Sequence, residues 1–472
     1  MPEFDIAVIG AGAAGLTVTA VAAQLGLRVA LIERDRMGGD CLNTGCVPSK
    51  ALLASAHAVQ LARQASRLGI NFGAPEIDWS AVTAHVQGVI AAIAPMDSVA
   101  RFRGLGAQVI RGEARFTGPR QLSVSGHGAL SARRIVVAAG SRAAMPAIPG
   151  LAEAHPLTNE TLFGLAARPE HLLILGGGAV GMEMAQAHAA LGVRVTVVES
   201  GAIAGREDPE LADGLRRALT ASGIALHENV RVVAVEPGPV LVLADGLRLA
   251  GSHLLVAAGR TPNLAALDLP AGQVQATPLG IATDAGLRSL TNKAVFAAGD
   301  IADPLGIGPR AFTHVAGYHA GIVLRRAVFR LPARLDDRAL PRVIYTDPEL
   351  AQVGLTEAEA RAAGHDIRIL RWPLADNDRA QAERRVDGLV KLVASRRGAV
   401  LGAGILAPHA GEMIGMWALA IQQRIPLSAL AGLILPYPTR AEAGKRAAGQ
   451  FFAPRLFAPM TQRLVRWLAR LP

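Results

Sequence analysis

The sequence predicts an α/β protein: two Rossmann-like dinucleotide-binding domains followed by a smaller α+β domain. Three observations predict it. The glycine pattern Gly10-Ala11-Gly12-Ala13-Ala14-Gly15 sits between a strand-like and a helix-like segment. The same arrangement recurs at Gly176-Gly177-Gly178-Ala179-Val180-Gly181. From about residue 337 onward, strand-like and helix-like segments alternate with no glycine fingerprint.

In the first unit, Asp5–Ile9 is apolar and β-branched and reads as a strand. Leu16–Leu25 reads as a helix and Arg28–Ile32 as a second strand, ending in Glu33. Gly10, Gly12 and Gly15 permit a tight turn and let backbone approach a pyrophosphate resting on the helix N-terminus. Glu33 is placed to accept hydrogen bonds from an adenosine ribose. In the second unit the strands are His171–Leu175 and Val193–Val198, the helix is Met182–Leu191, and the terminal acid is Glu199. Gly176, Gly178 and Gly181 repeat all three glycine positions. Two complete units imply two nucleotide cofactors. Strand-then-glycine stretches at Ile135–Gly140 and Val295–Gly299 would close the sheets around the same ligands, and Asp300 follows the second. A third such stretch, Leu254–Gly259, leads into Arg260-Thr261-Pro262-Asn263. In the C-terminal region Arg342–Tyr345, Val386–Ala394 and Gly402–Leu406 read as strands, Glu357–Ala363 and Met413–Arg424 as helices.

Both cysteines of the 472-residue chain lie in Cys41-Leu42-Asn43-Thr44-Gly45-Cys46-Val47-Pro48-Ser49-Lys50. Two cysteines five apart, in a chain with no others, read as a redox pair rather than as scaffolding. Cα atoms five apart in a regular helix are roughly 8–9 Å from each other. A disulfide needs about 4.4–6.8 Å. The segment must therefore leave helix geometry if the sulfurs are to bond. Gly38, Gly39 and Gly45 permit that, and Pro48 is tolerated only in a first or irregular turn. A helix starting here would aim its positive end at a sulfur and lower its pKa.

Composition sets the remaining bounds. Apolar residues make up 51% and charged residues 18%, enough for large cores. No stretch is long and apolar enough for a confident membrane span. Met1-Pro2-Glu3-Phe4-Asp5 runs straight into a strand without the basic-then-apolar order of a signal peptide, so a reducing cytoplasm is the expected location. Net charge is +10, but the charge is dispersed and aromatics are 4%, which argues against nucleic acid as a partner. Anionic cofactors or an acidic membrane surface account for it better.

The strings GAGAAG, GGDCLNTGCVPSKAL, GGGAVGME, AAGRTPN and AAGD, then YTDPE, HAGEMI and YPTRAE, follow one another in this order. Together they resemble the pyridine nucleotide–disulfide oxidoreductases, over about residues 4–453. The dihydrolipoamide dehydrogenase and mercuric reductase branches match best. The resemblance implies FAD in the first unit, NAD(P)H in the second and a homodimer formed through the C-terminal domain. It implies an FAD domain at residues 1–147 and 276–336, an NAD(P) domain at 148–275 and a dimerisation domain at 337–454, with 455–472 as a tail. Electrons are then expected to pass from NAD(P)H through FAD to the Cys41–Cys46 disulfide. Cys46 would lie nearer the flavin, and Cys41 would meet a small disulfide, thiol or metal-ion substrate. Lys50 and Glu183 match an ion pair beside the flavin ring, and Asp300 matches the acid on the ribityl chain. Ala114 and Gly140 fall where backbone meets FAD, and Gly259 belongs with the nicotinamide-nucleotide glycines. Glu199 favours NADH, since a carboxylate there repels a 2′-phosphate, although Arg206 lies seven residues on. No resident metal site is expected.

Two departures stand out. Dithiol-using members carry a His-Pro near the C-terminus, with a Glu five residues after the His, and that imidazole takes the thiol proton. Here the string is Pro436-Tyr437-Pro438-Thr439-Arg440-Ala441-Glu442, with Tyr437 in the histidine position. A phenol, with a pKa of about 10, is a poor base at neutral pH. Mercuric reductases also carry tyrosine in a similar context, but with a vicinal C-terminal cysteine pair that this chain lacks. His314 and His409 are candidate substitutes for the base. The second departure is the tail. Leu456, Met460, Leu464, Leu468 and Leu471 fall on one helical stripe, with Arg463, Arg466 and Arg470 away from it and Trp467 near the boundary. A basic amphipathic helix of this kind suits either an anionic membrane or packing on its own dimer. The leading reading is a disulfide or thiol oxidoreductase. Metal-ion reductase and diaphorase or quinone reductase are the alternatives. A redox-sensing flavoprotein is disfavoured because a sensor needs no hydride supply.

Overall fold

The computed structural model describes residues Pro2–Leu471; Met1 and Pro472, the outer limits of the expected first domain and tail, lie outside the described residues. In the first unit β1 (Phe4–Ile9) leads through the glycine turn into α1 (Ala13–Gln24) and on to β2 (Val29–Glu33). α1 starts at Ala13, earlier than the apolar periodicity indicates, because Gly12 is its N-cap and the fingerprint supplies its first turn. β1 pairs in parallel with β2 on one side and with β3 (Gly128–Val137) on the other. Gln108–Arg111 extends the sheet beyond β2, and Val295–Ala297 returns from late in the chain to pair in parallel with β3. β1 and β2 are apolar throughout, apart from Asp5 and Glu33 near their ends, because a parallel sheet is covered on both faces.

The second unit repeats this plan. β4 (His171–Leu175), α4 (Ala179–Ala190) and β5 (Arg194–Val198) follow in order, with Gly178 as the N-cap of α4. Ala225–His227 and His253–Val256 flank β5 and β4 in a fully parallel four-stranded sheet. The two units are tied by a short antiparallel pair, Ser141–Ala143 with Arg260–Pro262. Gly140 and Gly259 stand immediately before these strands at φ +64° and +120°, conformations that favour glycine.

The C-terminal region is a five-stranded antiparallel sheet with helices packed on it, and its core includes the fully buried Trp417. One strand starts at Leu389 rather than Val386. Gly388 presses on its neighbour so closely that a Cβ would lie 2.3 Å from the Leu406 carbonyl oxygen. The described residues include no helix long and apolar enough to cross a membrane.

The tail corrects an expectation. It is two helices, Ala453–Leu456 and Pro459–Leu468, not one continuous stripe. Pro459 lacks the N–H that would carry the first helix on, so the chain turns at Phe457-Ala458. Leu456 and Leu471 therefore lie outside the helix that carries Met460, Leu464 and Leu468.

Candidate redox and dinucleotide sites

After β2, a short helix α2 (Gly39–Asn43) holds Cys41 and ends at Thr44; α3 (Cys46–Gln64) begins on Cys46 itself. The helix breaks between the cysteines at Thr44-Gly45, the departure from helix geometry that a bond between the sulfurs would need. Gly39, at φ +60°, lies so close to the first glycine turn that a Cβ would come within 2.7 Å of the Gly12 Cα. The cysteine segment is thereby pressed onto the first dinucleotide fingerprint.

Both thiols are free. Cys41 donates to Cys46, and that hydrogen bond is the main reason the Cys46 thiol falls to about 6. Contact with Thr313 Oγ1 at 3.2 Å and the nearby Lys50 charge lower it further, against burial. Cys41 is pushed upward by the same hydrogen bond and by burial. At neutral pH Cys46 is therefore the thiolate and Cys41 its neutral donor.

The segment is pinned from the second unit. The Asp40 carboxylate accepts from Thr44 Oγ1 at 2.5 Å, Asn159 Nδ2 at 2.7 Å and Arg260 Nη2 at 2.8 Å. Arg260 also donates through Nε to Ser141 Oγ at 2.6 Å, and Ser141 Oγ donates to Asp300 Oδ2 at 2.5 Å. On the other side, Lys50 Nζ meets Glu183 Oε2 at 2.7 Å. Glu183 is 4% exposed, and its second oxygen accepts from the Tyr345 amide at 3.1 Å. Lys50 lies 4.3 Å above the Tyr345 ring. A buried carboxylate is thus matched by one cation and one backbone donor.

The two fingerprints share a construction. Gly10 has φ +102° and Gly176 has φ +120°, and a Cβ at either would sit 2.4 Å from a carbonyl oxygen, that of Ala138 or Ala257. A Cβ at Gly15 would lie 1.9 Å from the Gly10 oxygen, and one at Gly181 2.0 Å from the Gly176 oxygen. Strand and helix touch there through backbone alone. Gly12 and Gly178 cap α1 and α4 with no side-chain hydrogen bond and no acid in the first turn, so the helix amides remain available to a pyrophosphate. Glu33 accepts from the Ala11 amide at 2.7 Å and Glu199 from the Gly177 amide at 2.6 Å, which places each carboxylate beside its turn. These residues fit FAD in the first unit and a nicotinamide dinucleotide in the second. Ala114 is buried at the start of the strand Ala114–Gly118. The Arg206 side chain is exposed and makes no hydrogen bond or ion pair among the described residues.

The C-terminal residues stand apart. Among the described residues, no hydrogen bond joins Tyr437 or Glu442 to either cysteine within one chain. Tyr437 is 70% exposed, and its hydroxyl donates to Asp378 Oδ2 at 3.0 Å, which pushes the phenol above its usual value. Glu442 accepts from the Thr439 amide at 3.4 Å. Within one chain neither substitute histidine is hydrogen-bonded to either cysteine. His314 is next to Thr313, but its Nε2 bonds the Pro341 carbonyl at 3.0 Å, and burial lowers its pKa. His409 is the left-handed N-cap of the helix Ala410–Gln422 and lines a cavity with Pro438 and Thr439. The sequence reading passed over Thr313, Asp40, Asn159, Ser141 and Tyr345. Asp40 and Tyr345 lie inside quoted strings; Thr313 reaches Cys46, and Asn159 reaches Asp40 and Thr44, only through tertiary folding.

Residues 4–324 match the model of the pyridine nucleotide-disulphide oxidoreductases, and residues 340–448 match the dimerisation domain of that family. The chain belongs to this family. It is an enzyme that uses FAD and NAD(P)H. When bound, the flavin supplies a two-electron relay between the nicotinamide and the thiol pair. A mercuric reductase from Streptomyces lividans is 37% identical over 463 residues, covering 95% of this chain and 96% of the relative. Dihydrolipoyl dehydrogenase 3 from Pseudomonas aeruginosa is 35% identical over 469 residues, covering 95% and 98%. The Cu(II) complex of the HOCl-induced flavoprotein disulfide reductase RclA from Escherichia coli is similar at a TM-score of 0.83 and 27% identity, covering 95% of this chain and 99% of that one.

Proposed function

We propose that this oxidoreductase takes electrons from NADH and delivers them, through Cys41 and Cys46, to a soft thiophilic metal ion held between the two sulfurs. Tyr437 carries this reading. Exchange with a dithiol or disulfide needs a group that takes and returns a proton near neutral pH. A tyrosine whose proton is already donated to Asp378 does not serve. Reduction of a metal ion consumes electrons and no proton at the metal. The likeness to a mercuric reductase and to a flavoprotein solved as a Cu(II) complex supports Hg(II), which takes both electrons, and Cu(II), of which two ions take one electron each, as the ions to try.

In this reading Cys41, the sulfur expected to meet the substrate, and the Cys46 thiolate hold the ion together, and Cys41 releases its proton to solvent as the metal binds. Residues 1–147 and 276–336 hold FAD, with Gly10, Gly12, Gly15, Glu33, Ala114, Gly140 and Asp300 lining it and the Lys50–Glu183 pair beside its ring. Residues 148–275 hold the nicotinamide nucleotide, with Glu199 selecting NADH. Residues 337–454 join two copies, so that Tyr437 and Glu442 of one face the cysteines of the other; the exposure of Tyr437 in a single chain supports this.

The test is NADH or NADPH oxidation by the purified holoenzyme with Hg(II), Cu(II), lipoamide, oxidised glutathione or a quinone. Metal-ion turnover with NADH preferred is the expected result. In Tyr437→His, lipoamide turnover is expected to rise about a hundredfold, the scale of a restored general base. Lipoamide turnover by the unaltered enzyme at ordinary enzyme rates, with none on metal ions, would overturn the metal reading. Quinone turnover unaffected by Cys46→Ser would replace it with a diaphorase.

We also propose that the tail rests on an anionic membrane surface. Met460, Leu464 and Trp467 are all more than half exposed, and no Asp or Glu follows Glu442 while Arg455, Arg463, Arg466 and Arg470 do. Full-length protein is expected to co-sediment with phosphatidylglycerol vesicles at low salt, and protein truncated at Arg455 to stay in solution. Equal behaviour of the two, with the truncated form monomeric, would assign the tail to the dimer instead.

A further inference from the structure

A cavity of about 740 Å³ opens beside the strands that carry Arg134 and Phe296, lined by Arg134, Arg288, Arg326, Arg330 and Arg334. It is separate from the redox site. Arg326 is near the C-terminal end of the helix Thr313–Ala327, whose first residue touches Cys46. Roughly 20 Å of helix lies between the two ends.

Among the described residues, the only acid lining this cavity is already engaged. Asp284 accepts the Gly286 amide at 2.8 Å and the Arg288 amide at 3.1 Å on one oxygen, and Arg326 at 3.2 Å on the other. Gly286 makes room for that guanidinium, since a Cβ there would lie 1.7 Å from Arg326 Nη1. The remaining cations lack counterions. Arg134 and Arg288 donate only to the carbonyls of Arg133 and Lys293, at 3.1 and 2.7 Å. Among the described residues, Arg330 and Arg334 make no hydrogen bond or ion pair with their side chains. Burial and the neighbouring Arg288, Arg120 and Arg330 charges lower the Arg134 pKa. Like charges have been gathered into one concavity at a cost, with donor groups left over.

We propose that this cavity binds a compact polyanion bearing two or more phosphate groups. Guanidinium forks match phosphate oxygens in pairs. A concavity that also takes in Leu331 and Pro332 suits a compact molecule better than a duplex or a flat membrane. Among the described residues the one aromatic side chain lining it, Phe296, is buried and offers a nucleobase no stacking surface. The shared chemistry is that of an inorganic polyphosphate or a sugar bisphosphate.

The test is calorimetric titration of the FAD-loaded, full-length enzyme, saturated with NAD⁺ so that its nucleotide sites are filled. The probes are inorganic tripolyphosphate, fructose 1,6-bisphosphate and orthophosphate. One site per chain is expected for tripolyphosphate, the bisphosphate, or both, and whichever binds more tightly identifies the source. The double variant Arg330→Glu, Arg334→Glu should bind about a hundredfold more weakly, tenfold for each lost charge-assisted contact. Its FAD content and NADH KM should be unchanged. Equal affinity in the double variant, orthophosphate binding as tightly as the polyanions, or no binding of either polyanion would overturn the proposal.

Discussion

Cys46→Ser is expected to lower acceptor-dependent NADH oxidation by about a thousandfold or more, the scale seen when a catalytic nucleophile is removed. The reason lies in how the two thiols differ. Cys46 is held at about 6, with the Cys41 hydrogen bond as the leading cause. Above that pH it is a thiolate; below it the proton returns and reactivity falls. Iodoacetamide labelling of the reduced enzyme should therefore follow a titration with a midpoint near 6. In Cys41→Ala the leading cause is gone, and the midpoint should rise toward the ordinary thiol value of about 8.5. Thr313 and Lys50 remain in that variant, so the rise should stop short of it. A midpoint that does not move in Cys41→Ala would show that the helix start and Lys50 set the thiolate without Cys41.

Gly15→Val is expected to yield protein without bound FAD. Even the first atom of the new side chain would lie 1.9 Å from the Gly10 carbonyl oxygen, and that neighbour is backbone. Either α1 lifts away from β1 or the turn opens, and both displace the amides that meet the pyrophosphate. The loss is read as the flavin absorbance per chain after purification. Gly181→Val reproduces the same clash in the second unit, at 2.0 Å from the Gly176 oxygen. It should spare FAD and raise the KM for NADH. Full flavin content in Gly15→Val would contradict this reading of the turn.

The glycine fingerprints were legible because their meaning is local: a turn, a helix start and a terminal acid lie within about two dozen residues of one another. The helix starts at Ala13 and Ala179 were read a few residues late because the small residues of the turn carry no apolar periodicity. The helix break between Cys41 and Cys46 was legible as the condition for joining the two sulfurs, with Gly45 to permit it. The tail was misread because the apolar stripe at 456–471 is regular, and Pro459 interrupts it at a point where periodicity counts side chains but not missing amides. Thr313 at the Cys46 sulfur, and the Asp40–Arg260–Asn159 network around Cys41, were not legible. Each joins residues more than 100 positions apart, and no local pattern marks such a pair.

The most direct measurement is a thiol count. The chain has two cysteines, so the count admits no other source. The enzyme as purified in air is unfolded under argon, and its thiols are titrated with a chromogenic disulfide. The titration is then repeated on enzyme first reduced anaerobically with one equivalent of NADH per chain and quenched in acid. A rise from zero thiols to two is expected, because the electrons come to rest on Cys41 and Cys46. A count that NADH leaves unchanged would contradict the assignment of this pair as the carrier between nicotinamide and acceptor.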